Sequence, residues 1–284
     1  MTASDKLLVT LDNGIKRITF NRPERRNSVD TETVALLREA IERSAEDETK
    51  VIILSGAGDA FCAGADLQAT GEHDIKRIDV TAALRSHTNP TILAMRRLPK
   101  PIIARVHGPA VGVGCNYALA SDILIASEQA KFGQVFIKIG LMPDGGSTYT
   151  LPRIVGYAKA FELMATGDIV SAGEALAIGL VNRVVPVAEL DNTVNQMAAR
   201  LAAAPSIALA KIKQGLVHAE NSDLASALEF EAVNQAACFQ SEDFLEGVNA
   251  FLERRKPAFQ GKLFDCGFRI ADCGFGGPPL SPQF

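Results

Sequence analysis

Apolar and polar residues alternate from Lys6 to Asp12 and again from Ile15 to Phe20, with Asn13-Gly14 between the two runs. Alternation puts successive side chains on opposite faces of a strand, and Asn-Gly is a strong hairpin signal, so the chain opens on a β-hairpin. After the polar stretch Asn21 to Asn27 the period changes. Val34, Leu37 and Ile41 recur at helical spacing to about Ala45, and Asp30 stands where an N-cap belongs. Val51-Ile52-Ile53-Leu54, bounded by Gly56 and Gly58, is a continuous apolar run, which predicts a strand buried on both faces. A Gly/Ala loop (Gly56 to Leu67) and a helical stretch to about Leu98 follow, halted by Pro99-Lys100-Pro101. Ile102 to Val106 and Asp122 to Ala126 repeat the buried-strand pattern. Between them, Gly108 to Gly114 predicts a second glycine-rich loop leading into a helix over Cys115 to Ala120. The succession of strand, loop and helix continues to about residue 185 and predicts an α/β class with right-handed crossovers.

The character changes after Pro186. From 187 to 256 apolar residues recur three or four apart (Leu190, Val194, Met197, Leu201, Leu216, Leu224, Leu228, Phe251) with no strand among them. The expected organisation is therefore a core over 1–186, a helical region over 187–260 and a tail over 261–284. The tail carries five glycines and three prolines and a near-repeat, Asp265-Cys266-Gly267-Phe268 and Asp272-Cys273-Gly274-Phe275. Two thiols fall short of the usual four metal ligands, so a poorly ordered tail is the expectation there.

Composition narrows the function. With 29 Lys plus Arg against 33 Asp plus Glu, the net charge of −4 argues against a dedicated nucleic-acid binder. No apolar run reaches the length of a membrane span, no signal-peptide core follows Met1, and the five cysteines lack metal or redox spacing. A reduced cytoplasmic protein is expected. Several motifs are absent: there is no phosphate-binding loop ending in Gly-Lys-Ser/Thr, and no histidine pair four apart. Tyr117 stands where a dinucleotide fingerprint needs its third glycine, and Tyr149 where a nucleophile elbow needs glycine.

Two loops remain, Ala60 to Leu67 and Gly108 to Cys115, each between a strand and a helix. Small residues permit close approach of a ligand to the backbone, and one N–H from each loop would form a two-donor oxyanion hole. Tight turns that serve packing alone would use the same residues.

Asn21-Arg22-Pro23, Phe61-Cys62-Ala63-Gly64-Ala65-Asp66-Leu67, Pro101 to Gly108, Ala120-Ser121-Asp122-Ile123, Ala130-Lys131-Phe132-Gly133, Pro152-Arg153-Ile154-Val155-Gly156, Thr166-Gly167, Ala172-Gly173-Glu174-Ala175, Gly179-Leu180-Val181 and Glu246 to Leu252 occur in an order that resembles the crotonase (enoyl-CoA hydratase/isomerase) superfamily, from about residue 6 to 260. The resemblance implies a ββα-spiral core, a helical C-terminal oligomerisation region giving a homotrimer or a dimer of trimers, and an acyl-CoA thioester as ligand. Coenzyme A would enter as part of the substrate, with no separate cofactor and no metal. It assigns the oxyanion hole to the N–H groups of Ala65 and Val113, and the adenine end of CoA to Ala63, Asp66 and Leu67. Arg25 or Arg26 would neutralise the phosphates, with Lys256 from a neighbouring subunit; solvated surface charge is the alternative for all three.

Hydratases of that superfamily use two glutamates, and the matching positions here are Asn116 and Phe136. The acid left in the stretch is Asp144, in Gly140-Leu141-Met142-Pro143-Asp144-Gly145-Gly146, where an N-cap role is the competing account. The pattern resembles the single-aspartate isomerases, the epoxyphenylacetyl-CoA isomerase type of phenylacetate breakdown among them. That implies double-bond migration with Asp144 as acid/base and Phe136 excluding water around it. Three alternatives stay open. They are a weak enoyl-CoA hydratase, a 4-chlorobenzoyl-CoA dehalogenase-like enzyme with Asp144 as nucleophile, and a non-catalytic RNA-binding relative. The dehalogenase branch needs a histidine where this chain has Leu93, and His87 is too early to replace it.

Overall fold

The computed structural model describes residues 5–67 and 79–264, so Cys266, Cys273 and the rest of the expected tail beyond 264 lie outside the described residues, while 261–264 are held by hydrogen bonds to the start of the last helix and the residues before it. Strands β1 (Leu7–Asp12) and β2 (Ile15–Phe20) form the expected antiparallel hairpin across Asn13-Gly14. Helix α1 (Thr31–Arg43) follows, its first turn closed by the Asp30 carboxylate, which accepts from Thr33 N and Thr33 Oγ1 at 2.8 and 2.7 Å. Strand β3 (Val51–Gly56) then runs parallel to β2, and β4 (Ile102–Val106) parallel to β3. Before β4 come α2 (Val80–Ala83), one π-helical turn over Leu84–Thr88 and α3 (Asn89–Arg97).

The glycine-rich segment after β4 is not all loop. It contains a three-residue strand, β5 (Pro109–Val111), before α4 (Val113–Leu119) begins. Strand β6 (Ile123–Ser127) continues the main sheet, while β7 (Lys131–Gly133) pairs with β5. A 3-10 turn over Val135–Ile139 precedes α5 (Ser147–Val155) and α6 (Tyr157–Thr166). Strand β8 (Ile169–Ser171), α7 (Ala172–Ala177), β9 (Arg183–Val185) and α8 (Val187–Ala202) complete this part. The six-stranded sheet has the order β1-β2-β3-β4-β6-β9, and β5-β7-β8 make a second small sheet.

The alternation of a strand explains how the main sheet is buried on both faces. Ile52, Leu54, Ile102, Ala104, Leu124 and Ala126 enter the larger core with α1 and α4. Their neighbours Val51, Ile53, Ile103 and Ile125 face the other way, onto Leu190, Val194 and Ala198 of α8. For this reason the chain divides into compact units at Met1–Ala202 and Ala203–Phe284 rather than at 186/187. The change of pattern at Pro186 marks a change of secondary structure, but α8 still belongs to the sheet it covers.

The second unit is helical, as its periodicity predicts: α9 (Ser206–Ala219), α10 (Leu224–Phe239) and α11 (Glu242–Leu252). The segment after α11 folds back onto its start. The buried Asp243 carboxylate accepts from Gln260 N at 2.6 Å and from Gly261 N at 3.0 and 3.1 Å. Among the described residues no helix is long and apolar enough to cross a membrane.

Candidate active site

The two glycine-rich loops lie against each other through their backbones. Phe61 N and Cys62 N donate to Pro109 O, and Val111 N donates to Cys62 O at 2.9 Å, so Cys62 bridges to Ala110 as in a parallel sheet. Beyond this bridge the chains approach more closely still. A Cβ on Gly64 would stand 2.9 Å from Val111 O, and one on Gly112 would stand 3.8 Å from Gly64 Cα. Gly64 (φ +97) and Gly112 (φ +57) also adopt backbone conformations that L-residues with a side chain rarely reach.

These loops carry the two expected donors. Val29 N donates to Gly64 O and Asp66 N to Val29 O, which extends the Ala65 segment along the chain leading into α1. The N–H of Ala65, an exposed residue, has no acceptor among the described residues. Val113 is the first residue of α4, where an N–H has no partner within the helix and the helix dipole favours negative charge. Its side chain is buried in the core. Each of these N–H groups could donate to an oxygen.

Asp66 follows Ala65 directly on the first loop. Its carboxylate is turned into the protein, 5% exposed, and pairs with Arg22 Nη2 at 2.7 Å. Arg22 Nη1 donates to Ser28 O at 2.9 Å and lies 3.7 Å from Asp30, which also pairs with Lys6. The carboxylate therefore ties down the loop that bears Ala65. Ala63 N donates to Arg26 O, and Leu67 is exposed, so these two residues stay on the loop surface. Arg25 and Arg26 are exposed beside the same loop. Arg26 and Asn27 both have positive φ (+50 and +58), a strained pair held in place by the buried Asn27 amide, which donates to Ala57 O and Ala60 O at 2.7 Å. Lys256 is exposed in the second unit.

Asp144 lies in the turn before α5, and it does not cap that helix. The N-cap is Gly146, with no side-chain bond, and Asp144 takes part through its carbonyl, which accepts from Ser147 N and Ser147 Oγ. Its carboxylate atom Oδ1 is buried with no hydrogen-bond partner among the described residues, and burial pushes the carboxyl above its ordinary value of 3.8. A carboxylate that is desolvated and unpaired has the character of a base.

The two positions that the resemblance matches to the hydratase glutamates hold groups that cannot titrate. Phe136 is buried, and its ring lies against Gly112 at the start of α4. Asn116 is 2% exposed, and its Nδ2 donates to Asp144 O at 2.8 Å. Its Oδ1 accepts from Gln134 Nε2 at 2.8 Å. Reading the sequence for acids alone passes over Asn116 and Gln134, although Asn116 follows Val113 by three residues and so shares its helix face.

Two cysteines, Cys62 and Cys115, lie buried beside the loops. Burial pushes the Cys62 and Cys115 thiols up to about 12, so neither is a thiolate at neutral pH. His87, the histidine nearest the position matched to the dehalogenase base, is half-buried and hydrogen-bonded to Ser86 Oγ and Ala83 O. The side chains that face the Gly145-Gly146 turn from this segment are Thr88 and Ile92, neither of which can act as a base.

Comparison with known proteins gives a consistent picture. The model of the enoyl-CoA hydratase/isomerase family matches residues 10–262. The chain is 39% identical over 262 residues to 1,2-epoxyphenylacetyl-CoA isomerase of Escherichia coli (strain K12), covering 90% of this chain and 98% of that protein. It is 35% identical over 243 residues to the short-chain-enoyl-CoA hydratase of Clostridium acetobutylicum, covering 84% and 91%. The crystal structure of an enoyl-CoA hydratase from Bacillus anthracis superposes with a TM-score of 0.86 at 33% identity, covering 90% of this chain and all of that one.

Proposed function

The chain belongs to the enoyl-CoA hydratase/isomerase family, and on that premise we propose that it moves a carbon–carbon double bond of an enoyl-CoA from the 3- to the 2-position. The observation that carries this reading is a single unpaired, desolvated carboxylate, Asp144, with Asn116 and Phe136 at the two glutamate positions. Hydration needs a group to activate water and a proton delivered to carbon, whereas a double-bond shift needs one base that takes a proton and gives it back.

In this mechanism the thioester oxygen accepts from Ala65 N–H and Val113 N–H. Asp144 removes a proton from the carbon next to the thioester, and the electron pair moves onto the oxygen as the enolate. The same carboxyl then returns the proton two carbons further along, which brings the double bond into conjugation. Each donor of such a hole contributes about 3–4 kcal/mol in enzymes where one has been removed. The raised proton affinity of Asp144 brings it closer to the carbon acid it must deprotonate, and Phe136 keeps water from the pocket beside Gly112.

Coenzyme A enters as part of the substrate. Its adenine lies along Ala63 and Leu67, its phosphates meet Arg25 or Arg26, and Lys256 is contributed by a neighbouring subunit of a homotrimer or a dimer of trimers. Asp66 serves this surface from behind, through Arg22. The test is a panel of 3-enoyl-, 2-enoyl- and aromatic acyl-CoA thioesters with chromatography of the products. Conversion of the 3-enoyl to the 2-enoyl thioester is expected. Hydroxyacyl-CoA as the main product, or chloride released from a halobenzoyl-CoA, overturns the assignment.

A further inference from the structure

Every hydrogen bond that fixes Asp144 acts on its backbone. Three donors converge on its carbonyl: Ser147 N at 3.1 Å, Ser147 Oγ at 3.0 Å and Asn116 Nδ2 at 2.8 Å. The first two come from the start of α5, and the third comes from α4, the helix whose first residue is Val113. Asn116 thus connects the turn bearing the carboxylate to the helix bearing one of the oxyanion donors. Nothing comparable reaches the carboxylate, whose Oδ1 has no partner among the described residues.

The connection has a direction. An asparagine side chain presents either its NH2 or its oxygen to a neighbour, and facing Asp144 O only the NH2 is attractive. Gln134, 3% exposed, complements that orientation by donating Nε2 to Asn116 Oδ1 at 2.8 Å. Gln134 is itself placed by the small sheet, since β7 ends at Gly133, whose carbonyl accepts from Gly112 N at 2.9 Å. The register of β5 with β7 therefore reaches the Asp144 turn through two amides.

We propose that Asn116, oriented by Gln134, is a positioning residue that sets the separation between the Asp144 base and the Val113 oxyanion donor. The proposal deepens the isomerase reading and rests on it for its chemical meaning. A proton transfer between a fixed base and a carbon acid is sensitive to displacement, and about 1 Å of misplacement costs on the order of 100-fold in rate. A buried amide that served packing alone would lower stability and leave the base where it is.

The experiment uses the full chain with Asn116→Ala and Gln134→Glu. The second variant keeps the volume but offers acceptors only, so it turns the Asn116 oxygen towards Asp144 O. Two readouts are taken: kcat and KM on the 3-enoyl-CoA, and the pH dependence of the stability difference between each background and the same background carrying Asp144→Asn. That difference follows the protonation of Asp144 whether or not the protein turns over. Both variants are expected to lose about 30-fold or more in kcat with KM within about 3-fold, and to shift the pH midpoint of the stability difference down towards an ordinary carboxyl, as the freed turn exposes the carboxylate to water. Variants that keep kcat within about 3-fold of wild type, with an unmoved midpoint, overturn the proposal whatever their loss in melting temperature. If the wild-type protein shows no double-bond migration and the midpoint still shifts, the positioning role stands and the isomerase reading falls.

Discussion

Gly114, the second residue of α4, offers a test in which two known effects oppose each other. Its backbone is helical, so replacing it with alanine should stabilise the helix by about 1 kcal/mol on intrinsic grounds. A Cβ at this position, however, would stand 2.3 Å from Cys62 O, 2.7 Å from Cys62 Sγ and 2.8 Å from the Cys62 carbonyl carbon. A carbon–oxygen contact needs roughly 3.3 Å, so the loop bearing Cys62 and Ala65 must move away from α4 by about 1 Å. The nearest atom in the way, Cys62 O, is a main-chain atom that accepts from Val111 N, and rotating the Cys62 side chain relieves only the Sγ contact. Overpacking of this kind costs about 1–3 kcal/mol, which outweighs the gain in helix propensity at all but its lower limit. Because the two loops carry the two proposed donors, the same displacement would open the proposed oxyanion hole, and about 100-fold should be lost from kcat/KM. Steady-state turnover of a 3-enoyl-CoA and a thermal melt are sufficient assays. A Gly114→Ala protein that melts above wild type and keeps its turnover would refute the claim that the loops hold the hole at a fixed width.

Val113→Pro removes one donor at a helix position where proline is well tolerated, so kcat should fall by about 100- to 1000-fold in turnover assays while circular dichroism stays close to wild type. Asp144→Asn should leave less than a few per cent of turnover. Because burial raises the folded-state pKa of Asp144, the proton it binds contributes stability fully below 3.8 and that contribution fades as pH rises through the folded value. The asparagine variant should therefore melt higher than wild type at neutral pH, with the advantage vanishing in acid. Asp30 has the opposite sign: burial pushes it up, but the Lys6 and Thr33 bonds prevail and hold it at about 2, so its contribution is present above 3.8 and is lost as pH falls towards 2. Asp30→Ala should flatten the acid limb of the melting curve over that interval. Asp243→Ala leaves the N–H groups of Gln260 and Gly261 without their acceptor, at about 1–3 kcal/mol each, and should make the segment after α11 the first site of limited proteolysis.

The hairpin, the cap at Asp30 and the buried strands were legible because each leaves a local period or a turn dipeptide in the chain. Strands β5, β7 and β8 were not, since three residues are too few to alternate and their pairing is wholly non-local. The division at 202 rather than 186 has a related cause, because a helix period shows that α8 has an apolar face and not which sheet receives it. In the site, the loops and Asp144 stood out through their residue types. The carboxylate of Asp66 belongs with Arg22, an ion pair between residues 44 apart that no spacing announces. Asn116 looked like a missing glutamate, and only its bonds to Asp144 O and Gln134 give it a role of its own.

The bridge between Cys62 and Ala110 has a consequence for how this protein can change over generations. On the proposed function both oxyanion donors are main-chain N–H groups in loops paired through the main chain, so most codon changes at positions 65 and 113 would leave that centre intact. The base is a side chain, and a single nucleotide change can abolish it or exchange it for another group. Inheritance of the two halves of the site is therefore unequal, with a durable activated thioester coupled to a replaceable proton carrier. A lineage of such chains can diverge in reaction while keeping one chemical entrance, and on the proposed function that divergence falls at Asn116, Phe136 and Asp144.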